Sequence, residues 1–508
     1  MEKQENRQEK PTTSSEECPT SGCRDKISSP YDGFPGRGVC ERCSREAKRC
    51  QNQACKAWNR LSARYCTKCG ESLQAAEPSQ WAMEGGGESR NSLVDVPGNI
   101  PVEKCSPSPL RTIPLNARNG DQTSKLSIID GIGPVLVHDL VVIAVKIHDH
   151  GFLQAYARGS KYHENGTKWA WSTSPLVSNL SPSNSPVVID GSLICALADG
   201  DDRVVWVWID AESGIARGIT DVIGRLSPHG RPLVYRSKDG YRLAAWPIFE
   251  GLAVMVSRNG VTNEQSAFPS DFDFGIVRIE QDHSIGERMH PPVAIKDQIV
   301  CLTDNGRLFF MPLGFRGEAL EHARLVERND LRQKGITPAE GWRCGPPAIV
   351  AGQIVFLASD KDNFLYWVMW APETVFVVKI EKIRLDKSVD GWSLPRPLES
   401  PFYHQHAFAP YYGCILMFDV YEKQIVQTGM EFEGNVEMSN VRHWVSINGS
   451  VFGLADHKIM VTKTIRGNPK PAIVAEWQES ETGLTGPAAA DGTGLFATTA
   501  HHLLVWGA

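Results

Sequence analysis

One phrase recurs along this chain and leaves few folds open to it. It reads as a proline, a short apolar strand, a two-residue turn, a second strand, a polar turn and a third strand. Sharp copies start at residue 133 ("GPVLVHDLVVIAVKIHDHGFLQAYA"), 185 ("SPVVIDGSLICALADGDDRVVWVWIDAESG"), 291 ("PPVAIKDQIVCLTDNGRLFFMPL"), 345 ("GPPAIVAGQIVFLASDKDNFLYWVMW") and 486 ("GPAAADGTGLFATTAHHLLVWG"). Fainter copies begin near 231, 406 and 443. Together they give a mean period of about 48 residues, and periods of about 40–50 with several strands each mean propeller blades. A single unit of this kind is a small antiparallel sheet with two apolar faces. Standing alone it wets both; stacked radially against neighbours it buries both.

Local signals agree. Asp190-Gly191 and Asn305-Gly306 offer residues that accept positive φ between strands. Almost no segment after residue 125 sustains a 3.6-residue period. The expectation is a mainly β chain with an eight-bladed propeller over residues 124–508, seven blades being the alternative count. The last blade breaks off at Trp506, and the early strand at 125–131 is expected to complete it and close the ring.

The front of the chain has a different texture. Eight of the thirteen cysteines precede residue 70: Cys18, Cys23, Cys40, Cys43, Cys50, Cys55, Cys66 and Cys69. Cys18-x4-Cys23 precedes Cys40-x2-Cys43, and Cys50-x4-Cys55 precedes Cys66-x2-Cys69, so one arrangement occurs twice. Zinc takes four tetrahedral ligands, with sulfur at about 2.3 Å, and two cysteines two to four residues apart point into one tight turn. Two such turns complete a tetrahedron. A pairing of Cys40 and Cys43 with Cys50 and Cys55 is the alternative. Four protein ligands leave no open position for a water, so two structural zinc ions are expected, with no catalytic role. The module has too few apolar residues for a core, which makes its folding depend on the metal.

The segment "ARYCTKCGESL" with its upstream cysteine pair resembles a bacterial or archaeal zinc ribbon, and the duplication resembles a double zinc ribbon over residues 16–75. The second unit is also similar to the Ran-binding-protein type of zinc finger, with Asn59 three intervening residues after Cys55 and six before Cys66. That type carries a tryptophan two residues before its first cysteine, where this chain has Lys48, so the ribbon is the better match.

Between residues 37 and 68 nine basic side chains (Arg37, Arg42, Arg45, Lys48, Arg49, Lys56, Arg60, Arg64 and Lys68) oppose Glu41 and Glu46, with Trp58 and Tyr65 interleaved. Phosphate contact and base stacking are one use for such a surface. The other is neutralisation, since four thiolates around Zn²⁺ carry a formal −2 per site. The whole chain has a net charge of −6, so global electrostatics do not point to nucleic acid.

Residues 1–15 are expected to be a disordered tail and 76–123 a flexible linker, rich in Gly, Pro, Ser and charge, with Val102, Leu110 and Ile113 as residues able to dock on the next domain. "MEKQENRQEKPTTSSEE" lacks the apolar segment of a secretory signal, and no apolar run nears the ~20 residues of a membrane span. A cytoplasmic location follows as the expectation. That compartment is reducing, which favours metal-bound thiolates over disulfides.

The blade phrasing, with "AESG" at 211–214 between strands, resembles the quinoprotein-type (PQQ-like) β-propeller repeat. The ribbon style and these blades together suggest a prokaryotic source. Quinoprotein dehydrogenases of that type use an adjacent cysteine pair, an acidic base and a calcium site. Here no two cysteines adjoin and no base is matched. His138, His148 and His150, the "YHQHAF" and "AHHLL" segments, and Trp206, Trp208, Trp367, Trp370, Trp444 and Trp506 read as turn and packing residues. "SDFDFG" lacks the other elements of a kinase, and no phosphate-cradling loop or serine-nucleophile motif is present. The expected function is a non-enzymatic zinc-binding scaffold or adaptor. The propeller would hold protein partners, and the ribbons would contact a second partner. The alternatives are a nucleic-acid-binding adaptor through the ribbons and an enzyme using the propeller channel.

Overall fold

The computed structural model describes residues 27–28, 37–40, 46–50, 54–60, 66, 68–69, 93–94 and, with intervening stretches omitted, 111–506. The chain divides into two compact units, Met1–Glu77 and Pro78–Ala508.

Among the described residues of the second unit, the strands form eight antiparallel blades of the kind the repeat predicts. The second blade shows the design. Val187–Ile189, Ser192–Ala198, Arg203–Asp210 and Ala216–Ile219 pair in that order from one edge to the other. Successive side chains on a strand point to opposite faces. Leu193, Cys195, Leu197, Val205, Val207 and Ile209 therefore pack on Val135, Val142 and Leu153 of the first blade. Their neighbours Ile194, Ala196, Trp206 and Trp208 pack on Ala244, Trp246 and Met255 of the third. Both faces are buried, which is why the strands read as near-continuous apolar runs instead of alternating ones. A fully buried large apolar side chain contributes roughly 1.5–3 kcal/mol, and Trp206, Trp208, Trp246 and Trp367 are all below 2 % exposure.

The same interleaving joins blades three and four, four and five, and five and six. The innermost strand of the sixth blade, Leu398–Glu399, contacts that of the seventh, Val441–Ile447, and the Phe452 ring of the seventh packs at a tilt 5.3 Å from that of Trp506 of the eighth. One cluster then binds Phe496, Leu503 and Val505 of the last blade to Leu136, Val141 and Ile143 of the first, which closes the ring.

Closure differs from the sequence expectation in its donor. The strand that pairs with His502–Trp506 is Arg111–Pro114, not 125–131. Ile113 is 4 % exposed in that position. Ser127–Ile128 instead pairs with Leu140–Ile147 inside the first blade. Between them, Asn116–Asn119 and Gln122–Lys125 form a hairpin. A second difference is one of phase. The sixth blade begins at Leu398–Glu399, so the copy starting at 406 supplies its second strand, His406–Tyr411. Blades three and four are also joined at their rims, where Arg278 and Ile279 pair in parallel with Arg324 and Leu325.

In the first unit, Ile27–Ser28, Arg37–Cys40, Glu46–Arg49 and Trp58–Arg60 form one antiparallel four-stranded sheet. This sheet runs through both halves of the duplicated cysteine pattern.

Candidate metal centre

The hairpin Glu46–Arg49/Trp58–Arg60 brings the second cysteine group together. Arg49 pairs with Trp58, so the chain leaves the sheet at Cys50 and re-enters it just after Ala57. The Cys50 N–H donates to the Ala57 carbonyl at 2.9 Å, and Arg49 Nε donates to the Lys56 carbonyl at 3.2 Å. Lys56 takes a left-handed φ of 49°, which lets the chain turn back between Cys55 and the strand.

Cys66 and Cys69 complete the group. The Sγ atoms of Cys50, Cys55, Cys66 and Cys69 all lie within 4.8 Å of one another. Cys50 Sγ stands 3.6 Å from Cys69 Sγ, and Cys55 Sγ stands 3.7 Å from Cys66 Sγ. These are contacts, well beyond the ~2.05 Å of a disulfide bond. Four sulfurs at about 2.3 Å from a central zinc would stand about 3.8 Å apart. The donor set therefore fits a tetrahedral thiolate-binding cation. Cys50, Cys55 and Cys66 are buried and Cys69 is exposed.

The electrostatics agree with that fit. A hydrogen bond from the Ala57 N–H favours the Cys55 thiolate, but burial and the neighbouring Cys69 and Cys66 thiols outweigh it and push the Cys55 thiol up. Clustered thiols oppose each other's ionisation, and a divalent cation inverts that balance.

Of the first group, Cys40 ends the strand Arg37–Cys40, while Cys18, Cys23 and Cys43 lie outside the described residues. The register still bears on the alternative pairing. Val39 pairs with Glu46 and Arg37 with Lys48, so Cys40 and Cys50 leave opposite ends of the strand Glu46–Arg49. A four-residue strand is about 13 Å long. That spacing places Cys40 away from the group in which Cys50 already has three sulfur neighbours.

Trp58 changes role. It is only 8 % exposed, and the Arg49 guanidinium sits 5.5 Å from its ring centroid. A buried indole covered by arginine offers no face for a base. Tyr65 lies outside the described residues.

In the second unit, buried thiols are embedded in the core. Burial pushes the Cys195 thiol up to about 12 and those of Cys301 and Cys344 higher still, which leaves them inert as nucleophiles. His148 and His150 are exposed at the tight turn between the second and third strands of the first blade, with His148 at a φ of 52°. Trp370 Nε1 donates to Asp330 Oδ2 at 2.9 Å. His406, in the "YHQHAF" segment read from sequence as turn and packing residues, is a buried partner of Asp419, which sequence reading did not single out; Nε2 and Oδ2 are 3.0 Å apart.

No protein-family model and no curated protein matches the chain. Solved structures similar to it include a europium-containing methanol dehydrogenase, at 12% identity and a TM-score of 0.48 over 83% of this chain and 89% of that one. BamB from Moraxella catarrhalis matches at 11% identity and 0.41, over 78% and 99%. Sqt1 from Saccharomyces cerevisiae matches at 13% and 0.45, over 78% and 99%. These likenesses carry no statement about activity.

Proposed function

We propose that this chain is a non-enzymatic, zinc-binding scaffold of the cytoplasm. Its eight-bladed ring holds protein partners, and its ribbon unit contacts a second partner. The observation that carries the reading is the set of four sulfurs at tetrahedral spacing, formed by Cys50, Cys55, Cys66 and Cys69. All four positions come from protein, so a zinc ion there is structural. A second ion on Cys18, Cys23, Cys40 and Cys43 completes the proposal. A rigid ring with many inter-strand connections at its two ends is a platform for partners. Tethering the ribbons to it raises their local concentration at a second site.

The nucleic-acid reading loses one of its two stacking residues with the burial of Trp58, and the basic side chains near the cluster suit neutralisation of thiolate charge. Metal analysis of pure, reduced, full-length protein tests the proposal. Two zinc ions per chain are expected. A value near zero overturns the metal-binding half, and co-purification that recovers only the bait overturns the scaffold half.

A further inference from the structure

We infer that Leu93–Val94 is an intramolecular strand that lies along the propeller axis and holds the Ser446–Ile447 end of the inner edge of the seventh blade against pairing by any other chain. Leu93 pairs in parallel with Ser446, and Val94 with Ile447. Their partner strand, Val441–Ile447, is the innermost of its blade: the order runs Pro471–Glu476, Lys458–Lys463, Ser450–Ala455, Val441–Ile447 and then Leu93–Val94. The free edge of an innermost strand faces the axis of the ring. A segment pairing in parallel with it runs along that axis.

The choice of blade is informative. Among the described residues, the other innermost strands are continuous for two to four residues, as in Val135–Val137, Leu233–Arg236 and Ala489–Ala490. The seventh blade has seven. A long unpaired edge is a template for an added strand, and it is on this edge that the chain places one. The covalent path allows it. Sixteen residues separate Val94 from Arg111, which forms the outer edge of the eighth blade. They reach up to roughly 50 Å, while a four-stranded blade is about 15 Å wide. One stretch ahead of the ring thus holds the inner edge of one blade and the outer edge of the next. The inner contact goes beyond the scaffold role, because it governs whether the axial edge is open to an extended peptide.

Two measurements on the full-length chain test this. Under mild oxidation, a Leu93→Cys/Ser446→Cys pair is expected to cross-link, mapped by mass spectrometry. A Leu93→Cys/Val188→Cys pair, directed at the innermost strand of the second blade, is expected not to. No cross-link in the first pair, or equal yields in both, overturns the inference. Val94→Pro removes an N–H and is expected to speed hydrogen exchange at the Ser446–Ile447 end of the strand about tenfold or more. The ring's melting should be retained, since its closure rests on Arg111–Pro114. Unchanged exchange at 446–447 overturns the inference as well.

Discussion

His406 and Asp419 stand directly opposite each other on the second and third strands of the sixth blade, Nε2 to Oδ2 at 3.0 Å, in a site where both side chains are buried. Asp419 Oδ1 at the same time accepts the N–H groups of Tyr421 and Glu422, each at 2.9 Å. One carboxylate thus ties two strands together and shapes the turn that leaves them. The second blade repeats the turn: Asp210 Oδ1 accepts from the Ser213 N–H and hydroxyl, and the chain passes through Gly214 at a φ of 71°. In the sixth blade Lys423 holds the matching position at 54°.

Asp419→Ala should destabilise the ring by about 1–3 kcal/mol, because it removes the buried carboxylate that meets His406 and the acceptor of two turn N–H groups. Asp419→Asn keeps an acceptor for the turn and should cost less. Denaturant midpoints of the two variants check the order; an alanine variant as stable as the parent would contradict this role.

Acid should weaken the ring through specific carboxylates. Burial works to raise Glu327, but the two-pronged Arg307 contact and the charge of Arg332 outweigh it and hold it below the usual carboxylate range. Asp210 is held low in the same sense: burial opposes ionisation, while Ser213 and Arg217 more than compensate. A depressed folded-state pKa supplies stability that is complete above the unfolded value and disappears as pH falls through the folded one. Melting temperature should therefore drop below about pH 4, and less steeply in Glu327→Gln. Parallel pH profiles would refute this.

Gly251 opens the third strand of the third blade at a φ of 142°, where a Cβ would lie 2.2 Å from the Val277 carbonyl oxygen. Backbone blocks it on the neighbouring strand, so rotamer changes give no relief. Gly251→Ala should cost about 2 kcal/mol or more. Thermal melting reads the loss, and a fully tolerated alanine would show that the two strands separate easily.

Cys66→Ser together with Cys69→Ser should lower bound zinc by one ion per chain and leave ring melting unchanged, as expected if the ribbon unit folds separately on its metal. Metal analysis with calorimetry checks both halves. Loss of ring stability would mean that the two units fold as one.

Blade type was readable because each blade writes its own signals locally: turn residues at 305–306, paired apolar runs such as Leu193–Leu197 with Val205–Ile209, and the Asp210–Gly214 turn. The Cys50–Cys69 group was readable for the same reason, since a tetrahedral ion demands short, regular spacing. Leu93–Val94 carries no such signal, being two apolar residues in a polar stretch. The His406–Asp419 contact hides in ordinary strand residues.

The amino-acid order alone determined the repeating sheet and the spacing of the four cysteines, because propensity, turn geometry and ligand spacing act over a few neighbouring residues; the choice of eight blades over seven came with the tertiary structure. Which segment closes the ring, which edge receives Leu93–Val94 and whether Trp58 faces water were decided only by the tertiary structure. Those outcomes depend on hydrogen-bond partners and cover contributed by residues distant in sequence, as when Arg111–Pro114 meets His502–Trp506.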